Sequence, residues 1–189
     1  MNDIKTTLIV KEAQAGGQKA MCQLITTYND QIFRLVFYRT NSWNDAQDLT
    51  QEAFIKAFKN IDKLKEAEKF KPWLYSIAIN LVNDFHRKRK FLSFFGQASD
   101  LENINEKNQN ISFENKSSLV KAKEFEEEIK KKYIKFLSKN EKQVFMLKYI
   151  DDLTINEIAQ TLSKNESTVK TLLYRSIKKI KEHGGKPNE

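Results

Sequence analysis

The chain has 189 residues, a formal net charge of +8, five glycines, two prolines and a single cysteine, Cys22. Few helix breakers and abundant Lys, Glu, Leu and Ile favour an all-helical protein, and the excess of cations favours a polyanionic partner such as nucleic acid or an acidic membrane surface. One cysteine excludes an internal disulfide framework, and neither a membrane-spanning apolar run nor a secretory signal is evident, so we expect a cytoplasmic protein.

After a short segment, residues 1–15, an N-terminal block over residues 16–91 carries three apolar stripes at helical spacing. Each stripe predicts one helix, and about seventy residues in three helices can bury a small core of their own. Asp45 is the expected start of the second helix, and Pro72 the expected first residue of the third. The stripes are Leu24, Ile25, Tyr28, Ile32, Leu35 and Val36; Leu49, Ala53, Phe54, Ala57, Phe58 and Ile61; and Leu74, Ile77, Ala78, Leu81, Val82 and Phe85.

An acidic cluster lies on the second predicted helix of this otherwise basic chain. Asp45, Asp48 and Glu52 are three and four residues apart, so they share one helix face. Such a face is either simply solvated or a docking surface for a basic protein, and it is a poor surface for DNA. The residues alone leave both interpretations open.

Aromatic, amide and basic residues are interleaved along the third predicted helix, which ends in the basic run 86–90. Rings that stack on unpaired bases, beside cations that hold phosphates, are typical of single-stranded DNA binding. The alternative is a well-capped, solvated helix end with Trp73 in the core. We favour Asn80 over Trp73 for base contact, because an amide hydrogen-bonds a base edge. The candidate residues are Lys65, Lys69, Phe70, Trp73, Tyr75, Asn80, Asn83, Arg87 and Arg89.

Residues 92–120 interrupt the helical periodicity and are rich in Asn and Ser, which predicts a flexible linker between two basic blocks. Apolar residues recur at helical spacing in residues 121–137, which predicts a further helix. The second block spans residues 121–184, and residues 185–189 form a tail.

Three capping-box patterns, each a hydroxyl residue followed three positions later by Glu, predict helices over residues 141–150, 155–162 and 166–182. Only three residues separate the last two helices, which is a helix-turn-helix layout, and Ser163 stands at the turn position where Gly is common. The patterns are Ser138 with Glu141, Thr154 with Glu157, and Ser163 with Glu166. The apolar residues expected between the two helices are Ile158, Ala159, Leu162, Val169, Leu172 and Leu173.

The final predicted helix is strongly basic, with Glu166 as the acid near its start. This one-sided charge favours a DNA-reading helix, although an ordinary antiparallel helix pair is the alternative for so short a motif. Its cations are Lys170, Arg175, Lys178, Lys179 and Lys181.

No constellation of residues points to catalysis. His86 and His183 both lie in Lys-rich helix ends, where we expect them to be solvated. A phosphate-cradling Gly loop, a Cys/His metal set and a nucleophile–base pair are all missing from the sequence. We therefore expect no catalytic residues, no metal, no cofactor and no small-molecule substrate.

Two runs, DAQDLTQEAFIKAF (45–58) and FKPWLYSIAINLVNDFHRKRK (70–90), resemble the second conserved region of bacterial sigma factors. The run 137–180 resembles their fourth region. A chain with only these two regions and a short linker is similar to the small extracytoplasmic-function (ECF) group of the sigma-70 family. The resemblance implies two small helical domains, region 2 in residues 16–91 and region 4 in residues 121–184.

The resemblance also implies partners. The chain would bind core RNA polymerase through the beta-prime coiled coil and the beta flap, direct it to promoters, and be held by an anti-sigma factor. The polymerase-binding residues would be Asp48, Gln51, Glu52 and Ile55. The single-stranded DNA candidates above would melt and read the −10 element.

The last helix would enter the major groove at the −35 element, as the resemblance implies. Its contact residues would be Glu166, Thr168, Lys170, Thr171, Tyr174, Arg175 and Lys178. The alternative is a stand-alone helix-turn-helix regulator that binds duplex DNA without polymerase.

Overall fold

A computed structural model describes residues 3–94 and 134–184, which belong to two separate helical units. The first unit contains four helices and, between the last two of them, the 3-10 turns Ile61–Lys63 and Ala67–Lys69. Its helices are α1 (Asp3–Gln14), α2 (Gln18–Thr40), α3 (Trp43–Lys59) and α4 (Phe70–Phe94). The second unit contains the 3-10 turn Ile134–Phe136 and helices α5 (Lys139–Tyr149), α6 (Ile155–Thr161) and α7 (Glu166–Gly184). The described residues include no strand, which confirms the all-helical class.

The three predicted apolar stripes form the core of the first unit. Ile32 of α2, Ala53 of α3 and Leu74 of α4 are completely buried, whereas Ile25 is exposed. Three contacts between α2 and α4 involve residue numbers that increase in both helices. The rings of Tyr28 and Phe70 lie 5.6 Å apart, the Tyr75 hydroxyl donates to Gln31, and His86 hydrogen-bonds the Arg39 carbonyl. Helix α4 therefore runs parallel to α2. A two-residue turn joins α2 to α3, and α3 leads the chain back toward the start of α4.

Helix α1 belongs to this unit, whereas the sequence predicts a segment, residues 1–15, that is separate from the first domain. Val10 and Ala13 are buried, and the Gln14 side-chain amide donates to the carbonyls of Ile61 and Leu64 at 2.9 and 2.8 Å. Since these carbonyls lie in the segment that leads into α4, α1 fixes the path by which the chain enters that helix.

Two predicted helix starts in the first unit are each wrong by two residues. Helix α3 begins at Trp43 and not at Asp45, because Ser42 is the cap and its hydroxyl accepts the Asp45 N–H at 3.3 Å. Pro72 is the third residue of α4, still in the first turn, where no backbone N–H is needed for the helix.

Helix α4 continues to Phe94, so the first residues of the predicted linker, 92–94, are helical. The rest of that linker, residues 95–120, lies outside the described residues, as do residues 121–133 of the predicted helix 121–137. The described end of that helix, Ile134–Phe136, is a 3-10 turn instead of an α-helix.

In the second unit, α6 and α7 form the predicted helix-turn-helix. Ile158, Val169 and Leu173 are buried between them. The capping boxes at Ser138 and Thr154 are confirmed, since both reciprocal hydrogen bonds are present in each.

The third capping box is wrong. The cap of α7 is Asn165, whose side-chain oxygen accepts the Thr168 N–H at 2.8 Å. Ser163 lies in the turn with φ = +50°, a left-handed conformation that favours glycine. That geometry explains why Gly is common at this position in helix-turn-helix motifs.

We expect Ser163→Gly to stabilise the second unit by about 0.5–1 kcal/mol. The left-handed conformation costs a residue with a Cβ roughly 1–2 kcal/mol, and the greater unfolded-state entropy of glycine offsets part of the gain. Amide hydrogen exchange of residues 139–184 measures the change. Ser167→Gly, in the first turn of α7, is the matched control and should destabilise; equal destabilisation by both variants would contradict the strain at Ser163.

Glu141 is a buried carboxylate, only 4% exposed, in the capping box of α5. The Lys179 ammonium donates to it at 2.7 Å, and the Ser138 N–H donates to the same oxygen at 2.8 Å. The Lys179 hydrogen bond, followed by the bonds from Ser138, outweighs burial and lowers the pKa of Glu141 below its ordinary value of 4.5.

The stability of the second unit should therefore depend on pH in the acidic range. A lowered pKa means that the Glu141 contribution is complete above pH 4.5 and is lost as pH falls through the folded-state pKa. Hydrogen exchange of wild type and Glu141→Gln should differ at pH 7 and converge toward pH 3. A difference of the same size at both pH values would show that the ionised carboxylate is not stabilising.

Candidate functional surfaces

The predicted acidic cluster forms an exposed stripe on α3, which we call the acidic face: Asp48, Gln51, Glu52 and Ile55. Their spacing of three, one and three residues keeps them on one side of the helix, opposite the buried Leu49 and Ala53. Ile55 is 46% exposed although it is aliphatic, so the acidic face combines negative charge with an apolar contact point. Asp45, the third acid of the pattern, is half-buried at the start of the helix.

Glu52 is paired with Lys56 of the same helix at 3.0 Å. Both side chains are about half exposed, and such surface pairs typically contribute only about 0–1 kcal/mol. This pair therefore does not prevent Glu52 from meeting a cationic partner.

The predicted single-stranded DNA residues separate into two groups, of which the first is buried. Phe70 is fully enclosed between the rings of Tyr28 and Trp73, and Tyr75 is buried with its hydroxyl bonded to Gln31 at 3.2 Å. A ring inside the core cannot stack on a base. The assignment of Phe70 and Tyr75 to DNA binding is therefore wrong, because both belong to the apolar side of α4.

The second group lies on the other side of α4, which we call the α4 outer face. Trp73 is half-buried, whereas Asn80, Asn83 and Arg87, further along the same side of the helix, are exposed. The exposed Arg87 forms an ion pair with Asp84 of the same helix at 3.1 Å. The α4 outer face consists of Trp73, Asn80, Asn83 and Arg87.

The remaining predicted cations and His86 have other surroundings. Lys65 is exposed, Arg89 is half-buried, and Lys69 is half-buried and paired with Glu66 at 2.6 Å. His86 is exposed, as expected, and its Nε2 also lies 2.9 Å from the Arg39 carbonyl, which joins α4 to α2. His183 is exposed as well, and one side of its ring stacks on Phe136 with centroids 4.8 Å apart.

Helix α7 presents a continuous exposed surface, which we call the α7 outer face: Lys170, Thr171, Tyr174, Arg175 and Lys178. Tyr174 is 70% exposed, and no apolar neighbour covers it in the described part of the chain. The opposite side of α7 carries the buried Val169, Leu173 and Ser176. Thr168 is half-buried at the edge of the outer face.

Glu166, expected to contact DNA, is held by protein groups in this structure. Its carboxylate accepts the side-chain amide of Asn156 in α6 at 3.0 Å and lies 3.6 Å from the Lys170 ammonium. The Asn156 hydrogen bond, with a smaller effect of Lys170, lowers the pKa of Glu166. Asn156 was not among the predicted residues, and only the three-dimensional approach of two helix starts reveals it.

The charge of α7 is less one-sided than predicted, since Glu166 is not the single acid of this helix. Glu182 is a second acid on this helix and lies 3.8 Å from Lys178. Since both groups are more than half exposed, the pair is weak, and Lys178 remains able to bind a phosphate.

Within residues 3–94 and 134–184, no helix is long and apolar enough to cross a membrane. The same residues contain no group of three or more His, Cys, Asp or Glu side chains arranged to hold a metal ion.

Comparisons with known proteins agree with both units. The family model for Sigma-70 region 2 matches residues 24–91, and the model for Sigma-70, region 4 matches residues 132–180. The ECF RNA polymerase sigma factor SigW of Bacillus subtilis (strain 168) is 31% identical over 175 residues, 92% of this chain and 93% of that protein. The ECF RNA polymerase sigma-E factor of Escherichia coli (strain K12) is 28% identical and covers 92% of this chain and 91% of its own length.

A solved structure of CnrH in complex with the cytosolic domain of CnrY has a similar fold. Its TM-score is 0.68, and the match covers 94% of this chain and 95% of that chain at 18% sequence identity.

Proposed function

This chain belongs to the ECF group of the sigma-70 family, and we propose that its three exposed faces divide the work of promoter recognition. As a sigma factor it binds core RNA polymerase and directs the enzyme to promoters, where it recognises the −10 and −35 elements and assists melting. The observation that carries the proposal is the separation of charge. Carboxylates and Ile55 lie on one side of α3, whereas the α4 outer face carries amides with a cation and the α7 outer face carries cations without a carboxylate.

The acidic face of α3 binds the polymerase in this proposal. DNA repels Asp48 and Glu52, whereas a basic coiled coil such as that of the beta-prime subunit attracts them. Ile55 supplies an apolar contact at the C-terminal end of the acidic face, as protein interfaces generally require.

The α4 outer face captures the opened strand of the −10 element. The half-exposed ring of Trp73 can stack on an unpaired base, and the Asn80 amide can hydrogen-bond a base edge. Arg87, in the last third of α4, and Lys65, before the start of that helix, hold backbone phosphates at separate points along the strand. Capture of a flipped base offsets the unstacking cost of about a few kcal/mol per step.

The α7 outer face reads the −35 element from the major groove. In helix-turn-helix proteins the N-terminal residues of the second helix contact base edges, which places Thr171, Tyr174 and Arg175 against bases. Lys170 and Lys178, at the edges of the same surface, are placed against phosphates.

Site-directed photo-crosslinking tests this division of labour directly. A benzophenone amino acid replaces Gln51, Asn83 or Thr171 in turn, in a holoenzyme assembled on promoter DNA. We expect crosslinks to the beta-prime subunit, to the non-template strand of the −10 element and to the −35 duplex, respectively. A Gln51 crosslink to DNA, or a Thr171 crosslink to polymerase alone, would contradict the assignment of that face.

Asn80→Ala should weaken the open complex by about 1–3 kcal/mol, the usual effect of losing one base contact. Permanganate reactivity of unpaired thymines measures the opened fraction. Asn29→Ala, an exposed amide on α2, is the matched control and should leave opening unchanged. If Asn80→Ala opens promoters as well as wild type does, Asn80 does not capture a base.

We further propose that the chain acts in the cytoplasm and has no catalytic activity of its own, since the polymerase supplies the chemistry. CnrH, which shares the fold, was solved with the cytosolic domain of CnrY. A protein partner that covered the acidic face or the α7 outer face would keep this chain inactive, as an anti-sigma factor does.

A further inference from the structure

Lys179 differs from the other cations of α7 in the direction of its side chain. Its Nζ donates to Oε2 of Glu141 in α5 at 2.7 Å, and the side chain is 39% exposed. Its sequence neighbour Lys178 is 62% exposed and pairs with Glu182 of its own helix, at 3.8 Å. The two adjacent lysines therefore face different surroundings, one another helix and the other solvent.

The carboxylate that receives Lys179 is already part of the start of α5. The same Oε2 atom of Glu141 accepts the Ser138 N–H at 2.8 Å, and the Ser138 hydroxyl accepts the Glu141 N–H at 3.4 Å. The buried Glu141 carboxylate thus caps the start of α5 and at the same time binds Lys179 of α7. Because it is almost inaccessible to water, removal of its cation would leave a buried charge without its ionic partner.

A second contact, one helical turn further along α7, joins this helix to the 3-10 turn Ile134–Phe136 that precedes α5. His183, four residues after Lys179, stacks on Phe136 with an angle of 30° between the rings. At the opposite end of α7, Glu166 is bound by Asn156 of α6 at 3.0 Å. Helix α7 is therefore held near both ends, and the α7 outer face lies between the two attachments.

We infer that Lys179 is a positioning residue for −35 recognition, whose ion pair with Glu141 fixes the orientation in which α7 presents its outer face. Lys179 does not neutralise a DNA phosphate. The inference rests on the proposed role of the α7 outer face, because it concerns how that face is held.

The test uses the full-length chain assembled with core RNA polymerase and a promoter selected by the wild-type holoenzyme from randomised DNA. Affinity is measured for this promoter and for the same DNA with a scrambled −35 element, over a series of salt concentrations. Lys179→Met and Glu141→Gln should each lower the preference for the intact element about tenfold, which is typical of residues that act without touching the ligand. Lys179→Arg should retain the preference, because a guanidinium can still reach Glu141.

The salt dependence separates a positioning lysine from a phosphate-binding one. Loss of one phosphate contact lowers the slope of log affinity against log salt by about one, and weakens all sequences alike. Lys178→Met, the matched control, should behave in this way. Lys179→Met should keep the wild-type slope and lose sequence preference.

Two results would overturn the inference. The first is a reduced salt slope with unchanged −35 preference in Lys179→Met, which would make Lys179 a phosphate contact. The second is an unchanged preference in both Lys179→Met and Glu141→Gln. If hydrogen exchange shows that Lys179→Met unfolds the second unit, Glu141→Gln decides, because an amide of the same shape leaves no buried charge. Arg175→Ala, measured in parallel, tests the proposed role of the α7 outer face itself. If this variant also keeps the preference for the intact −35 element, the α7 outer face does not read that element.

Discussion

Replacement of Asp48 and Glu52 by Lys should abolish binding of the chain to core RNA polymerase while the first helical unit stays folded. Both residues are exposed on the acidic face of α3, so their replacement leaves the core of the unit intact. The only ion pair lost among the described residues is Glu52 with Lys56, a surface pair worth about 0–1 kcal/mol. At the interface, by contrast, two reversed charges meet a basic surface, and each like-charge juxtaposition costs several kcal/mol.

Co-elution of the variant with core polymerase on size exclusion measures the loss, and circular dichroism checks the fold. The matched control is Glu12→Lys with Asp30→Lys, which makes the same change in net charge at exposed positions of α1 and α2. The control should co-elute like wild type. Stoichiometric co-elution of the Asp48/Glu52 variant would show that polymerase binds elsewhere on the chain.

Arg175→Ala should weaken recognition of the −35 element by about 1–3 kcal/mol and relax the preference at one base pair. Arg175 is exposed on the α7 outer face, one helical turn beyond Thr171, and its guanidinium can bind a guanine edge in two places. Truncation to Ala removes these donors without disturbing Val169 and Leu173, which pack on the opposite side of the helix.

Selection from DNA with a randomised −35 element, carried out with holoenzyme, measures the preference at each base pair. Lys178→Ala is the comparison, since loss of a phosphate contact weakens binding to all sequences alike. An Arg175→Ala holoenzyme with the wild-type sequence preference would exclude Arg175 from base recognition.

Local pattern was enough to predict helices α2 to α7 and most of the core, but not helix α1. Leu24, Ile32 and Val36 recur at helical spacing, and spacing alone decides which side of a helix is buried. The same information was available for Phe70, which precedes Leu74 and Ala78 at steps of four residues and therefore extends the buried stripe. Phe70 also lies among lysines, and this local composition predicts DNA binding. The composition is the same whether the ring faces the core or solvent, so it cannot distinguish the two.

Other features depend on contacts between distant residues, which no local pattern contains. Gln14 meets carbonyls 47 and 50 residues later in the sequence, and Lys179 meets a carboxylate 38 residues earlier. The cap of α7 shows a different difficulty. Ser163 and Asn165 are both suitable cap residues, and the choice follows only from the left-handed turn at Ser163, which places Asn165 at the helix start.

Run-off transcription with purified core RNA polymerase tests the central claim most directly. The template is a promoter that the reconstituted holoenzyme selects from randomised DNA, and the reactions contain core alone, chain alone or both. We predict transcripts from one defined start only when both are present, and none with the Asp48→Lys/Glu52→Lys variant. A folded chain that binds the same duplex equally well without polymerase, and yields no defined transcript with it, would contradict the account and indicate a stand-alone helix-turn-helix regulator.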